Sequence, residues 1–82
     1  MAKRFIVIGR STCPFCTMAE DLLKASHLQC VFLDYSERTH ILEDYKEFHN
    51  QDTVPIILSN DLDSGLTTRI GGYTELLEHL SG

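Results

Sequence analysis

Apolar positions along the chain alternate between two spacings. Arg4 to Gly9 (RFIVIG) is β-branched and almost continuously apolar, which predicts a strand buried on both faces. Beyond the cysteine pair, FCTMAEDLLKAS places Met18, Ala19, Leu22, Leu23 and Ser26 at helical spacing with no internal Gly or Pro, predicting a helix from about Pro14 to Ser26. Cys30 to Tyr35 (CVFLDY) is a second apolar run and a second strand. RTHILEDYKEFH carries Ile41, Leu42, Tyr45 and Phe48, the pattern of one helix face, with Thr39 as its expected cap. VPIIL is read as a third strand opening with Pro55, where a missing ladder N–H is tolerated. A turn-rich loop, Ser59 to Thr68, follows, then a short strand around Thr67 to Ile70. A Gly71-Gly72 break leads into a last amphipathic helix, YTELLEHL.

The order is β-α-β-α-β-β-α. A strand-helix-strand opening implies a right-handed crossover and a parallel pair. Two final strands joined by a loop imply an antiparallel hairpin in the same sheet. The expected class is therefore α/β, a four-stranded mixed sheet flanked by three helices.

Size and charge narrow the picture. Eighty-two residues, 43% of them apolar, make one small core, so a single domain over residues 1–82 is expected. Phe5 to Ile8 is too short for a signal peptide's apolar region, and no stretch approaches a membrane span. A cytoplasmic protein is the expectation. The net charge of −5 argues against nucleic-acid binding, which needs a basic surface. Three cysteines do not complete a disulfide framework, and the odd thiol suits a reducing compartment.

The candidate chemistry lies in GRSTCPFC, positions 9–16. It falls where the first strand ends and the first helix begins. Pro14 suits the first helical position, since its absent N–H would have no intrahelical partner there. Cys13 then sits at or beside the N-cap, facing free N–H groups and the positive end of the helix dipole. Both favour thiolate over thiol, and Arg10 adds a positive charge. Cys13 is accordingly expected to be the nucleophile with a lowered pKa. Cys16, one turn on, is expected to be its more buried resolving partner. A zinc site would need two further ligands. There is no second Cys-x-x-Cys, and His27, His40, His49 and His79 stand singly, so no metal is expected. Cys30 reads as a small buried hydrophobe.

Cys-Pro-x-Cys after the first strand, TVP before the third, and GGYTE before the last helix together resemble the glutaredoxin family, in order and over nearly the whole chain. The resemblance implies the thioredoxin fold. It also implies a cis peptide bond at Pro55, with the backbone of Val54 meeting the peptide portion of bound glutathione. Gly72, Tyr73, Thr74 and Glu75 would form the helix start that receives the γ-glutamyl carboxylate. Arg10, Phe15 and Thr53 complete the implied glutathione set, with Cys13 and Cys16 catalytic.

This chain departs from the family's pattern at several places. Arg10 stands for the usual Lys, and Phe15 for the commoner Tyr. The positions that usually supply polar and basic groups for glutathione's glycine carboxylate hold Leu42 and Asp52, for which Lys46, His40 or Gln51 could compensate. The stretch from Pro55 to Gly71 is longer than usual, suggesting an extended hairpin loop. The function implied is a glutathione-dependent thiol-disulfide oxidoreductase, acting as a monomer on disulfide-containing or glutathionylated proteins, with glutathione as co-substrate. Leu42 and Asp52 raise an alternative, a donor reduced by thioredoxin reductase, for example to ribonucleotide reductase. An iron–sulfur cluster carrier is a further alternative, against which Pro14 argues.

Overall fold

A computed structural model describes residues 3–81. The elements run β1 (Lys3–Gly9), α1 (Pro14–Ala25), β2 (Gln29–Asp34), α2 (Thr39–Phe48), β3 (Ile56–Asp61), β4 (Thr67–Gly71) and α3 (Tyr73–Ser81). The four strands form one sheet in the order β2-β1-β3-β4. β1 runs parallel to β2, pairing Ile6 with Val31, and antiparallel to β3, pairing Ile6 with Leu58. β3 and β4 form the antiparallel hairpin, with a register shift between Ile57 and Leu58. This mixed sheet with three helices is the thioredoxin fold.

The continuous apolar run of β1 follows from cover on both faces. Phe5 and Val7 point to a layer with Ile57, where Ala19 and Leu23 of α1 and Leu76 of α3 pack. Ile6 and Ile8 point the other way, where Ile8 joins Ile56, Leu58 and Leu42 of α2. Period-two alternation along one strand thus feeds two cores. The central position of β1 also places its C-terminal end, and the cysteines that follow, at the middle of the sheet's edge.

Four expectations need correction. β3 begins at Ile56 rather than Pro55, because the ladder with β1 starts at the Ile8–Ile56 pair and Pro55 precedes it. The loop expected over Ser59 to Thr68 shrinks to residues 62–66: Ser59, Asn60 and Asp61 pair with Phe5, Arg4 and Lys3. Backbone pairing does not require apolar side chains, so the polar composition masked the end of the strand, and the extra length went into strand. Asp61 closes the short turn, its Oδ1 accepting the N–H groups of Asp63 and Ser64. Thr39 is the first residue of α2, not its cap; Arg38 holds the cap position without a side-chain capping bond. Finally, Phe48 is 82% exposed while Leu42 is buried. At about 100° per residue, Ile41 and Phe48 lie roughly 100–120° off the Leu42 direction, at the margin of the buried stripe.

Candidate active site

Cys13 occupies the N-cap of α1, with extended backbone (φ −94, ψ 118) and Pro14 at the helix start. Its N–H donates to the Arg10 carbonyl at 3.1 Å, which tightens the turn out of β1. Its carbonyl accepts the N–H groups of Cys16 and Thr17, the first bonds of the helix. The strand-to-helix turn is further held from the side. The Ser11 N–H donates to Asp34 Oδ1 at 3.1 Å, and the same oxygen accepts the Ser36 N–H and hydroxyl. Those hydrogen bonds hold the exposed Asp34 carboxyl at a pKa of about 2. The turn before the nucleophile is thereby pinned to the turn after β2.

The two thiols, both free, differ sharply. Cys13 is half-buried, and that burial alone would push its thiol up. The hydrogen bond from the Cys16 thiol, the N–H groups of Cys16 and Phe15, and the Arg10 charge more than offset it, so the net direction is down. No capping bond of ordinary geometry reaches the sulfur; the N–H groups act as oriented dipoles. Cys16 points into the protein, fully buried, and burial pushes its thiol up to about 12. The Cys13 sulfur, as hydrogen-bond partner and charge, adds to the rise. Gly9 makes room for it: a Cβ at Gly9 would overlap the Cys16 sulfur and lie 3.2 Å from its Cβ. Cys30 is half-buried on the edge strand β2, and burial raises its pKa as well.

Next to this pair in the chain, Phe15 joins Thr53, Val54, Pro55, Gly72, Tyr73, Thr74 and Glu75 in lining one cavity of about 300 Å³, which neither cysteine lines. The Phe15 and Tyr73 rings lie 6.0 Å apart, and the Val54–Pro55 bond is cis. The chain from 53 to 55 and the chain from 72 to 75, distant in sequence, face one another because β3 and β4 are neighbours.

Two details differ from expectation. The Gly72 N–H is not open to a ligand carboxylate: it donates to Glu75 Oε1 at 2.7 Å. Glu75 reaches back to the helix start, as the third residue of a capping box does, and satisfies an N–H the helix leaves unpaired. Gly71, at φ +126, permits this closeness, since a Cβ there would meet the Glu75 side chain at 2.8–2.9 Å. Second, Arg10 lines a different cavity, about 340 Å³, with Thr39, Leu42, Glu43 and Lys46. Arg10 Nε is buried with no hydrogen-bond partner among the described residues. Lys46 pairs with Glu43 at 2.8 Å at this cavity, and Leu42, which the family pattern would make polar, belongs to the core. Of the three residues named as compensating for Asp52, only Lys46 lines it. Gln51 is committed elsewhere, donating to the Thr53 and Pro55 carbonyls. Neither Gln51's bonds nor Gly9's role beside Cys16 carries a local sequence signal, because each depends on residues brought together by the fold.

Among the described residues, no group of three or more His, Cys, Asp or Glu side chains is placed to hold a metal ion, and no helix is long and apolar enough to cross a membrane.

A thiol poised as nucleophile at a helix start, with a second thiol buried one turn behind, is the working centre of a thiol-disulfide oxidoreductase. The glutaredoxin family profile matches residues 5–62, and the chain belongs to that family. Among curated protein sequences none is a significant match. Solved structures share the fold. A wheat glutaredoxin superposes with a TM-score of 0.79 at 23% identity, covering 95% of this chain and 71% of that one. A buckwheat glutaredoxin–glutathione complex gives 0.75 at 16%, covering 96% and 69%. Reduced Escherichia coli glutaredoxin gives 0.66 at 25%, covering 95% and 93%.

Proposed function

We propose that this protein is reduced by glutathione and in turn reduces protein disulfides and protein–glutathione mixed disulfides, as a cytoplasmic monomer. The observation that carries the reading is the cavity between Phe15, the Thr53–Pro55 segment and the start of α3, beside the nucleophile's turn. It offers the Val54 backbone next to the cis Pro55 for pairing with a short peptide, aromatic rings for its apolar parts, and at its rim the Glu75 carboxylate for an ammonium group. The Arg10–Lys46 cavity supplies positive charge for a carboxylate where Asp52 supplies none. The buckwheat relative's structure is a complex with glutathione, which supports the same ligand class here.

The chemistry follows from the two thiols. The Cys13 thiolate attacks the glutathione sulfur of a mixed disulfide, and the protein thiolate leaves and takes a proton. A second glutathione thiolate then attacks that sulfur, forming glutathione disulfide and freeing Cys13. With a protein disulfide, Cys13 forms the mixed disulfide, Cys16 loses its proton and attacks the Cys13 sulfur, and the substrate leaves as a dithiol. Two glutathione molecules then reduce the Cys13–Cys16 bond. Burial keeps Cys16 protonated at rest, but the part of its rise due to the Cys13 sulfur disappears once Cys13 is in a disulfide. Burial, the largest cause, stays in place, so the Cys16 thiol falls part of the way back toward its ordinary range.

The test compares wild type, Cys13→Ser and Cys16→Ser in reduction of a glutathione mixed disulfide. Cys13→Ser is expected to be inactive and Cys16→Ser to keep substantial activity; equal loss in both refutes the one-thiol route. Leu42 and Asp52 favour a second reading, reduction by thioredoxin reductase. Recycling of the disulfide by that enzyme, and not by glutathione with its reductase, would replace the main reading with this one.

A further inference from the structure

Gln51 is the most heavily connected polar side chain outside the cysteine turn. Its backbone N–H donates to the Lys46 carbonyl at 2.9 Å, tying it to the end of α2, where Asn50 turns the chain with φ 52. Its side-chain amide then bridges the following loop. Nε2 donates to the Thr53 carbonyl at 3.0 Å and to the Pro55 carbonyl at 2.8 Å. Oε1 accepts from Arg69 Nη1 of β4 at 3.2 Å. One residue thus joins the loop to α2 through its backbone and to β4 through its side chain.

The two carbonyls it holds flank Val54. The Thr53 carbonyl shares its peptide plane with the Val54 N–H, and the Pro55 carbonyl belongs to the plane after Pro55. Holding both fixes the direction of the Val54 N–H and confines the Val54–Pro55 peptide, with the Val54 C=O, between two anchored planes. These backbone groups belong to Val54, which lines the cavity with Phe15 and Tyr73. A short peptide pairing with them gains affinity only if they are held in place before it arrives, since ordering the loop on binding would subtract from the binding energy.

We infer that Gln51, braced by Arg69, is a positioning residue that sets the protein's preference for peptidyl disulfides over non-peptidyl ones. The inference rests on the reading of this cavity as a peptide-binding one. Gln51 touches neither sulfur and takes no part in electron transfer. It acts through the Thr53–Pro55 backbone, so it should matter only for disulfides that have a peptide to pair with it.

The experiment measures single-turnover rate constants of the pre-reduced protein with two disulfides, glutathione disulfide and hydroxyethyl disulfide, and takes their ratio. Three variants are compared. Gln51→Glu keeps the length and the Arg69 partner but removes the donor to both carbonyls. Gln51→Ala removes the brace without adding charge and keeps the test open if the Glu variant fails to fold. Arg69→Met frees only the far end. The expected result is a ratio lowered roughly tenfold in Gln51→Glu and Gln51→Ala, and by a smaller factor in Arg69→Met, because misaligned binding groups cost rate on the bound substrate alone. A merely structural role would lower both rate constants together and leave the ratio unchanged, which overturns the inference while the wild-type preference stands. A wild type with no preference for the peptidyl disulfide overturns the underlying reading of the cavity, and the inference with it.

Discussion

Cys13 and Cys16 stand one helical turn apart, yet one lies at the surface end of α1 and the other at its floor. Cys13 is half-buried and held below the ordinary thiol range; Cys16 is wholly buried and pushed up to about 12. The same chemical group acquires opposite character from its position on one helix start. At the N-cap, the Cys16 thiol, the oriented N–H groups and the Arg10 charge together outweigh burial, the largest single contribution. One turn inward, burial wins because no equivalent set of donors surrounds the sulfur. On the proposed function the asymmetry makes the pair directional: the half-buried sulfur is the one to meet the substrate, and the buried one meets only its neighbour.

Changes at three positions separate these contributions. The largest effect is expected at the floor. Gly9→Ala places a methyl group on the Cys16 sulfur, in a site that leaves it little room to move. It should cost about 1–3 kcal/mol of stability in the reduced protein, read from urea unfolding. Closure of the Cys13–Cys16 disulfide should slow with it, while the one-thiol reaction with a glutathione mixed disulfide is less affected. Unchanged stability would mean that Cys16 is not seated as described. A smaller effect is expected at the surface end. Arg10→Met removes a charge that favours the Cys13 thiolate, so the pKa rises and a smaller thiolate fraction is present at neutral pH. Arg10 is the smallest of the contributions that lower it, and the Cys16 thiol and the N–H groups of Cys16 and Phe15 remain, so the rise should be small. Thiolate absorbance followed against pH in the two proteins checks this, and a fall instead of a rise would reverse the assigned role of Arg10. The smallest effect is expected at the third thiol. Cys30→Ala should change the turnover rate by less than about twofold, since a half-buried thiol with a raised pKa is a poor nucleophile at neutral pH.

How much of this could be read from the sequence depended on whether the signal was local. The apolar runs of β1 and β2 announced strands, and that of β1 a buried one because helices cover both faces of the sheet there; β2, at the edge, has no fully buried residue. The Cys-Pro pair announced the helix start because Pro14 tolerates only a few helical positions. The cis bond was expected only through the family resemblance that TVP helps to carry, whereas the glycine turn was written in Gly71 and Gly72 themselves. Phe48 misled because helical spacing alone does not say how wide the buried stripe is. Glu75's bond to Gly72, Lys46 beside Arg10 and the Gln51 brace were not legible as such, since each is a side-chain choice made among residues that the fold brings together. The cysteine pair and its helix start were therefore readable, and Gly9 beneath Cys16 and much of the polar lining around the pair were not.

The central claim is that position on the helix start divides the thiols into an attacking and a resolving one. The most direct test alkylates the fully reduced protein with iodoacetamide across a pH series and assigns the modified cysteine by peptide mass. Cys13 should be modified first, with a midpoint below the ordinary cysteine value, while Cys16 stays unmodified far into the alkaline range. Modification of Cys16 or Cys30 ahead of Cys13, or a Cys13 midpoint at or above that of an ordinary thiol, would contradict the account.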